Sequence, residues 1–339
     1  MAIQSIELKN FTVFENIKCK FSPGINIFIG ENGTGKTHML KVLYAFCNAS
    51  IRDKDYEIAS ELRPLFDSQP RIRGILNKNM EENIELRIER GNKSCTYILS
   101  LEDDSAGYHV LSLGNKLPND VFSTFIPAKE MLSISNITRI DEKFDKELAM
   151  DKSLLNIIKK AQNMKLSNPP EIAKKIAPKL EAVMGGTVFV KESDNNFWIR
   201  KTSGDEVLFS MEAEGIRKFG LIWQLIMNGS LASGNILFWD EPEANLNPKL
   251  IPVIVDVLME LARNGVQIFL ATHEYNLMKY FSLKKKESDN VAFISMYKTG
   301  NGVESETEED YTLLEHNAIV DADIKLLEDD IEGVLSDAN

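Results

Sequence analysis

The sequence predicts an α/β protein built around a largely parallel sheet. After Glu212 strands alternate with helices, the apolar strand "INIFI" runs into a Gly-rich loop and a helix, and the apolar strand "NILFW" ends in two acids. Such alternation is typical of a parallel sheet whose ligands bind beyond the carboxyl ends of its strands. The 339 residues suffice for one large domain with an insertion or for two modest domains.

The first half of the chain predicts strands, one helix and a meander. "IQSIELKNF" and "FENIKCKF" alternate apolar and polar residues like two strands joined by a turn, and "INIFI" ends at Gly30. A helix is expected from about Lys36 to Asn48, and residues 50–80 are expected to be helical in part. "NIELRIER", "SCTYILSL" and "YHVLSL" predict an antiparallel meander, and "VFSTFIP" predicts one more strand.

The second half predicts helices and a hairpin before the α/β pattern begins. Residues 141–183 are rich in Lys, Glu and Leu and predict a helical insertion, and "TVFVKES" with "NFWIRKT" predicts a hairpin around Asp194–Asn196. Helices are then expected from about Ile216 to Met227, from about Pro248 to Arg263, and from near Glu274. The strands "NILFW" and "VQIFLAT" lie between them.

The net charge of −12 belongs to the tail of the chain. Val303–Asn339 contains thirteen acids and one base, Lys325, while the other 302 residues carry 38 charges of each sign. A neutral body argues against broad nonspecific DNA binding, although it leaves room for one basic groove.

Composition also bears on the compartment. No run approaches the ~18 apolar residues of a membrane helix, and the N-terminus "MAIQSIELKNF" lacks the pattern of a secretion signal. Cys19, Cys47 and Cys95 are widely spaced and form no CxxC pair. We therefore expect buried, reduced cysteines without a metal role, a cytoplasmic location and no membrane partner.

A phosphate-binding loop is the most specific motif. "GENGTGKT", Gly30 to Thr37, fits G-x-x-x-x-G-K-[ST] between an apolar strand and a helix. Its main-chain N–H groups would cradle a polyphosphate, Lys36 would reach the β- and γ-phosphates, and the Thr37 hydroxyl would ligate Mg²⁺. The alternative is a Gly-rich turn that only caps the helix. The predicted nucleotide-binding residues here are Gly30, Asn32, Gly33, Thr34, Gly35, Lys36, Thr37 and His38.

Asp240 and Glu241 stand side by side at the end of an apolar strand, although like charges repel each other. A cation beside one carboxylate and a reacting molecule beside the other would explain the arrangement. We expect Asp240 to hold Mg²⁺ and Glu241 to orient the attacking water in line with the γ-phosphate. Two solvated acids without a function are the alternative.

The next strand, "VQIFLATH", ends at His273. An imidazole at this point could donate to the γ-phosphate and sense its presence. A purely structural histidine is the alternative. We place His273 with Glu241 and Lys36 among the catalytic candidates.

The order of these motifs resembles the ABC-type ATPase head, in particular the group of SMC, RecF and OLD (overcoming lysogenisation defect) proteins. "IQSIELKNFTVFENIKCKF" is similar to the N-terminal hairpin of that group. "FIPAKEMLS", Phe125 to Ser133, resembles a segment of small stand-alone OLD-like ATPases from bacterial defence and toxin–antitoxin loci, at the loop that links the metal site to the helical lobe.

The resemblance implies an α/β, ABC-type P-loop NTPase head with an N-terminal antiparallel β subdomain and a helical insertion. The implied parts are an N-terminal ATPase lobe with the P-loop and meander (1–130), a helical insertion or lid (131–185), a C-terminal ATPase lobe with signature helix, Walker B acids and switch histidine (186–300), and an acidic helical tail (301–339).

The resemblance also implies a site shared between two chains. In such heads the signature helix faces the γ-phosphate bound to the partner, and here "MEAEGIRKFG" places Gly215 and Arg217 at the phosphate-binding positions. Ala213 stands where the motif usually has Ser, so one hydroxyl is missing. "EANLN" resembles the loop that crosses the dimer interface, with Asn247 where Asp is common, and Thr12 replaces a frequent Arg.

These features support one main hypothesis and two alternatives. The main one is a Mg²⁺-dependent ATPase that forms a homodimer or higher assembly around ATP and regulates a defence or toxin–antitoxin system. Because the insertion is too short for an SMC arm and residues 274–339 are too few for a nuclease domain, the effector, such as a nuclease or toxin, would be a separate protein. A RecF-like repair ATPase that binds nucleic acid and a non-hydrolysing, ATP-stabilised scaffold are the alternatives.

The tail "AIVDADIKLLEDDIEGVLSD" predicts an amphipathic helix. Ile319, Ile324, Leu327, Ile331 and Leu335 fall near one face, with acids opposite. Such a helix either packs on the body, or docks a basic partner or keeps nucleic acid off a basic groove.

Overall fold

Six strands form the central sheet, in the order β14-β13-β3-β12-β11-β7. The structure, a computed structural model, describes residues 2–51, 58–66, 83–101, 108–114, 122–133, 152–191, 193 and 196–337. The strands are β3 (Ile25–Ile29), β7 (Ser123–Ile126), β11 (Ile236–Asp240), β12 (Gln267–Ala271), β13 (Val291–Thr299) and β14 (Gly302–Glu308). All pairs are parallel except β13 with β14. The predicted parallel sheet is thus confirmed, and β3, β11 and β12 end at one edge.

A second sheet contains the predicted N-terminal hairpin and meander. Its order is β2-β1-β4-β5-β6, and its described pairs are antiparallel. The strands are β1 (Ile3–Phe11), β2 (Phe14–Lys20), β4 (Ile84–Arg90), β5 (Lys93–Leu101) and β6 (Tyr108–Gly114). In β2 buried and accessible side chains alternate, as expected for a strand with one face on a core.

The predicted hairpin after the helical insertion belongs to a small third sheet. β8 (Gly186–Val190) and β9 (Phe197–Lys201) pair antiparallel, and β10 (Glu206–Leu208) adds an unpredicted third strand. At the predicted turn, residues 194 and 195 lie outside the described residues.

The helices follow the predicted positions closely. They are α1 (Lys36–Ile51), α2 (Ile58–Leu65), α3 (Lys152–Ala161), α4 (Glu171–Met184), α5 (Glu214–Met227), α6 (Ile251–Arg263), α7 (Tyr275–Lys284) and α8 (Ala318–Asp337). α3 and α4 occupy the predicted helical insertion, whose residues 141–151 lie outside the described part. The helix expected at Pro248 begins instead with a single 3₁₀ turn, Pro248–Leu250. Within the described residues, no helix is both long enough and apolar enough to cross a membrane.

Two hydrophobic cores lie on opposite faces of the central sheet. In β11, Leu237 and Trp239 face the core that includes α4, α5 and α6, whereas Ile236 and Phe238 face the core that includes α1 and the antiparallel sheet. A strand buried on both faces must be apolar at every position, which explains the uninterrupted run before Asp240. The three cysteines are buried and free, as predicted for their packing role.

The segment predicted as a helical tail begins as part of the central sheet. β14 pairs with β13, and the helix α8 starts only at Ala318. Ile319 and Val320 pack against the core, so the packed arrangement holds for the first turn alone. The described apolar residues farther along are 49–65% exposed, namely Ile324, Leu326, Leu327 and Ile331. The side chain of Leu335 lies outside the described residues.

Candidate active site

The loop between β3 and α1 has the backbone that a phosphate cradle requires. Gly30 has a φ of 137°, and a Cβ there would lie 2.1 Å from the carbonyl oxygen of Met296. Gly35 has a φ of 89°, and its Cβ would meet the rings and methyls of Phe14 and Val13 at 2.5–2.8 Å. Only glycine combines this backbone conformation with such close packing. Gly30 and Gly35 are therefore required by the backbone of this loop.

Lys36 occupies the centre of this loop. Its Nζ donates to the carbonyls of Gly30 at 2.7 Å and Glu31 at 2.8 Å, and the residue is 6% exposed. Burial lowers the pKa of Lys36 to about 8. Thr34 is buried and donates from its hydroxyl to the Glu31 carbonyl, while Asn32 and Gly33 are exposed at the rim. Phosphate oxygens could replace the two carbonyls as partners of the ammonium.

Thr37 and Asp240 meet although they are far apart in the sequence. The Thr37 hydroxyl donates to Asp240 Oδ2 at 2.9 Å, which joins the start of α1 to the end of β11. Burial raises the pKa of Asp240 to about 6, and repulsion from Glu241 adds to the rise. A hydroxyl and a carboxylate are oxygen ligands of the kind that Mg²⁺ binds beside a polyphosphate. The donor set fits the predicted metal.

Glu241 adopts a backbone conformation that is rare for a residue with a side chain. Its φ is 46°, in the left-handed region, and its N–H donates to the Ala271 carbonyl at 2.9 Å. Glu241 Oε1 lies 3.5 Å from His273 Nε2. The two adjacent acids thus have different partners, Thr37 for Asp240 and His273 for Glu241.

His273 follows β12 at the same edge of the sheet. Burial lowers the pKa of His273, and the nearby Lys36 ammonium lowers it further. The imidazole is therefore neutral at neutral pH. A cavity of about 780 Å³ opens between the phosphate loop, Glu241, His273 and the first turns of α8. The structure brings these predicted residues to one place.

Gly215 lies at the start of α5 beside the loop that follows β11. The atoms nearest to a Cβ at Gly215 belong to Asn245 and Leu246, beginning with the Asn245 carbonyl at 3.1 Å. The N-cap residue, Ala213, makes no side-chain hydrogen bond to the helix. The first N–H groups of α5 therefore lack the side-chain acceptor that a Ser at this position could provide.

The side chain of Arg217 binds acceptors within its own chain. Its Nε donates to Glu130 Oε2 at 2.7 Å, and its Nη1 donates to the carbonyls of Ser210 and Glu212. The Glu130 side chain is only 1% exposed, so it needs a counter-ion within the protein. Glu130 belongs to "FIPAKEMLS", so this ion pair joins the loop after β7 to the start of α5.

The side chain of His38 is also turned away from the expected site. Its ring packs edge-on against Phe66 with centroids 5.2 Å apart, and burial lowers its pKa to about 4. Within the described residues its Nδ1 is buried without a hydrogen-bond partner. Only the main chain of His38 remains suitable for a phosphate contact.

The sequence did not single out two charged residues at this site. Glu243 Oε1 accepts from the Thr272 hydroxyl at 2.7 Å and from the His273 N–H at 3.3 Å, and burial raises the pKa of Glu243 to about 7. Lys298 on β13 donates to the Asn32 carbonyl at 3.2 Å, which puts a second cation at the phosphate loop. The position of Glu243 near Asp240 was a usable signal, whereas nothing in its local sequence distinguishes Lys298.

Comparison with known proteins decides the family. The family model described as "AAA domain, putative AbiEii toxin, Type IV TA system" matches residues 25–279, more than half of the chain. The chain belongs to this family. The match begins at β3 and extends into α7, so it includes the phosphate loop, the two acids and His273.

Curated relatives match a shorter stretch. The DNA replication and repair protein RecF of Listeria welshimeri is 40% identical over 60 residues, which is 16% of this chain and 16% of the relative. RecF of Lactococcus lactis is 46% identical over 44 residues, 13% of this chain and 12% of the relative. The chain thus covers less than a fifth of the length of these relatives.

Solved structures show the fold over nearly the whole chain. An Smc head bound to the C-winged helix domain of ScpA has a TM-score of 0.59 at 13% identity and covers 92% of this chain and 99% of its own. An Smc head with an extended coiled coil from Pyrococcus furiosus has a TM-score of 0.55 at 12% identity, with 97% and 99% covered. The fold is that of the ABC-type P-loop NTPase head, and a short stretch of the sequence is similar to RecF.

Proposed function

We propose that this protein binds ATP with Mg²⁺, hydrolyses it, and dimerises around two nucleotides. It regulates a bacterial antiphage or toxin–antitoxin system whose effector is a separate protein. The ATPase part of the proposal rests on two contacts at the ends of the strands. The Thr37 hydroxyl donates to Asp240, and the Glu241 carboxylate lies beside His273. This geometry gives the two neighbouring carboxylates different tasks.

The phosphate loop would hold the polyphosphate of ATP. Lys36 already has its ammonium enclosed and bound to two loop carbonyls, so it is preorganised for the β- and γ-phosphate oxygens. Lys298 adds positive charge at the rim of the loop. The glycine conformations leave main-chain N–H groups free to approach the phosphates.

Thr37 and Asp240 would hold the metal. When bound, Mg²⁺ neutralises charge on the β- and γ-phosphate oxygens. Asp240 would lose any proton it carries to act as a ligand, and the Thr37 hydroxyl would turn its oxygen from the Asp240 carboxylate to the cation. The hydrogen bond between them keeps both oxygens in position beforehand.

Glu241 would accept a hydrogen bond from the attacking water and orient it in line with the γ-phosphate. The neutral imidazole of His273 can donate from one nitrogen while the other accepts, which suits it to contact the γ-phosphate beside Glu241. The two side chains are 37% and 39% exposed, so water reaches them.

A second chain would complete the site with the start of its α5. The N-terminal N–H groups of that helix lack a side-chain cap and lie beside Gly215, so they can serve an anion. Since Arg217 is held by Glu130, the helix end itself would contribute most of the attraction to the γ-phosphate. The missing Ser at position 213 predicts that dimerisation is weaker than in relatives with the full motif.

The regulatory role rests on the family. The family description names a toxin and a type IV toxin–antitoxin system. A regulator of such a system would use ATP binding and Glu241-dependent hydrolysis to switch between closed and open dimers. The proposed partner is a separately encoded nuclease or toxin.

A RecF-like role in DNA repair is the second candidate. The 40% identity to RecF over 60 residues favours it. The concentration of negative charge in residues 303–339, with a neutral remainder, counts against extended DNA binding.

Steady-state ATPase measurements with Mg²⁺ test the proposal. Wild type, Glu241→Gln and the matched control Glu31→Gln, which alters an exposed acid at the same loop, would be compared with and without duplex DNA. We expect turnover in wild type and the control, and its loss in Glu241→Gln with an ATP-bound dimer or larger assembly on size-exclusion chromatography. DNA stimulation would favour the repair role. Nucleotide binding without turnover in wild type would contradict hydrolysis and favour the scaffold.

A further inference from the structure

Lys218 carries a buried charge on α5, the helix that begins at Glu214. It is 2% exposed, which is unusual for a lysine, and burial lowers its pKa. Lys218 takes part in none of the ion pairs formed among the described residues. A charge removed from water in this way is retained only where the surrounding groups compensate it.

The partners of this ammonium are main-chain carbonyls at the candidate catalytic residue. Lys218 Nζ donates to the carbonyl of Glu241 at 3.1 Å and to that of Pro242 at 3.4 Å. Glu241 has a φ of 46°, and its carboxylate lies 3.5 Å from His273 Nε2. Lys218 therefore contacts the strained turn itself and not the side chain of Glu241.

The electrostatic surroundings favour the charged form of Lys218. Four carboxylates act on it and oppose the effect of burial, those of Glu243, Glu214, Glu241 and Glu130. They come from the loop after β11, the start of α5 and the loop after β7. A single ammonium thus stabilises a group of acids that would otherwise repel one another.

α5 holds the loop after β11 at two points. Gly215 packs against Asn245 and Leu246, and Lys218, on the same helix face one turn later, bonds to Glu241 and Pro242. The loop after β11 includes a second left-handed residue, Asn245, with a φ of 59°. Backbone strain of this kind persists only where surrounding contacts hold it.

We propose that Lys218 is a positioning residue for Glu241. By binding the carbonyls of Glu241 and Pro242, it maintains the left-handed turn that aims the Glu241 carboxylate at the attacking water. Because it lies on α5, it also connects the helix end that would meet the partner's nucleotide to the catalytic acid of its own chain. The inference rests on the proposed hydrolysis of ATP by this site.

Two substitutions and a matched control test the proposal. Lys218→Met removes the ammonium at similar volume, and Lys218→Arg keeps donors and charge. Lys160→Met is the control, because Lys160 is a half-buried lysine that bonds to the Ser123 carbonyl at the start of β7. Ser123 pairs with Ile236, four residues before Asp240 and about 13 Å away along the strand.

For each variant, kcat, the Kd for MgATP and amide exchange of the segment 241–246 would be measured. We expect Lys218→Met to lower kcat by on the order of 10²-fold, as a small displacement of a catalytic group does, with Kd unchanged within about twofold. Exchange in 241–246 should accelerate at least tenfold, while β12 and β13 stay protected. Lys218→Arg should recover most of kcat, and Lys160→Met should leave kcat and this segment unchanged.

Other outcomes separate this inference from the proposed function. Wild-type kcat in Lys218→Met, or equal losses of kcat and MgATP affinity, would overturn the positioning role while hydrolysis stands. Absence of turnover in wild type would overturn both. If Lys218→Met does not fold, Lys218→Arg decides: unchanged exchange in 241–246 together with a 10²-fold lower kcat would contradict positioning through the carbonyls.

Discussion

At the scale of single residues, conformation separates groups that the sequence places together. Asp240 and Glu241 are adjacent, yet one carboxylate accepts from Thr37 and the other lies beside His273, and Glu241 has a left-handed φ. Such strain costs roughly 1–3 kcal/mol and is characteristic of functional sites. Hydrogen bonds from the Glu241 N–H to Ala271 and from Lys218 to the Glu241 carbonyl hold the turn.

The buried ion pair between Glu130 and Arg217 gives a first prediction. Arg217→Met should lower the free energy of unfolding by about 3 kcal/mol, because it removes the ion-pair partner of a buried carboxylate, while the main-chain N–H groups of Leu132 and Ser133 still bind that carboxylate. Glu130→Gln should also lower the free energy of unfolding. The loss in the double variant should be smaller than the sum of the two single losses by at least about 1 kcal/mol. Urea unfolding of the four proteins measures this coupling.

An exposed pair of similar length serves as the control for that cycle. Glu171 and Lys174 are 2.7 Å apart but 85% and 73% exposed. Their coupling should not exceed about 0.5 kcal/mol, since solvent screens the pair. Additive losses at Glu130 and Arg217 would mean that the two side chains do not depend on each other.

Glu243 gives a prediction about pH. Its pKa in the folded protein is about 7, raised from the ordinary 4.5 because the carboxyl is buried. Between pH 4.5 and 7 the folded state holds a proton that the unfolded state has lost, so this group's contribution to stability falls as pH rises through that window. Glu243→Gln should remove this dependence.

The measurement for Glu243 is urea unfolding of wild type and Glu243→Gln at pH 5 and pH 8. From pH 5 to pH 8, the free energy of unfolding of the variant should rise relative to that of wild type by on the order of 1–3 kcal/mol. Glu274→Gln, at the cap of α7, is the control and should show no comparable change. A constant difference between wild type and Glu243→Gln would show that this carboxyl does not retain its proton.

At the scale of elements, α5 and α8 differ in how they are held. α5 is buried along most of its length and contacts both the loop after β7 and the loop after β11. α8 is packed through its first turn, and its later described side chains are exposed. α5 is therefore a core helix, whereas α8 beyond its first turn is an accessible acidic helix.

Deletion of residues 324–339 tests how α8 contributes to stability. Ile324, Leu327 and Ile331 are 49%, 58% and 60% exposed, so we expect the free energy of unfolding to change by less than about 1 kcal/mol. Tyr311→Ala is the comparison, because Tyr311 is 4% exposed and packs against Tyr275 and Phe293. Tyr311→Ala should lower the free energy of unfolding by about 3 kcal/mol or more. A loss of several kcal/mol on deletion would mean that α8 is structurally required.

At the scale of the whole molecule, the parallel sheet assembles the site. Gly30, Asp240 and His273 come from segments far apart in the chain and meet because β3, β11 and β12 are parallel neighbours. A ligand at this edge would contact several elements of both cores at once. Its binding energy should therefore appear in the stability of the whole domain.

Ligand-induced stabilisation tests this. MgATP at 100 times its Kd should raise the free energy of unfolding of the wild type by about 2.7 kcal/mol. Lys36→Met should show little or no increase, because the phosphates lose their enclosed cation. Lys174→Met, which changes an exposed lysine of α4, should respond like wild type. Thermal or urea unfolding with and without nucleotide measures the effect, and an equal response in Lys36→Met would argue against phosphate binding at this loop.

The sequence by itself determined the fold class, the order of most elements and the chemistry of the candidate site. Apolar runs such as "INIFI" and "NILFW" can only be strands buried on both faces, and the Gly-rich loop and paired acids stand where each run ends. These conclusions were accessible because they depend on local spacing. The roles of Lys36, Thr37, Asp240, Glu241 and His273 remain predictions that the geometry accommodates.

Only the tertiary structure decided where side chains point. Arg217 turns to Glu130 because a carboxylate buried by folding needs a counter-charge, and His38 turns to Phe66. Lys218 and Lys298 reach the site from α5 and β13, although no local sequence motif predicts that they do. Such contacts join residues tens to hundreds of positions apart, and their energies depend on burial and distance, which spacing along the chain does not specify.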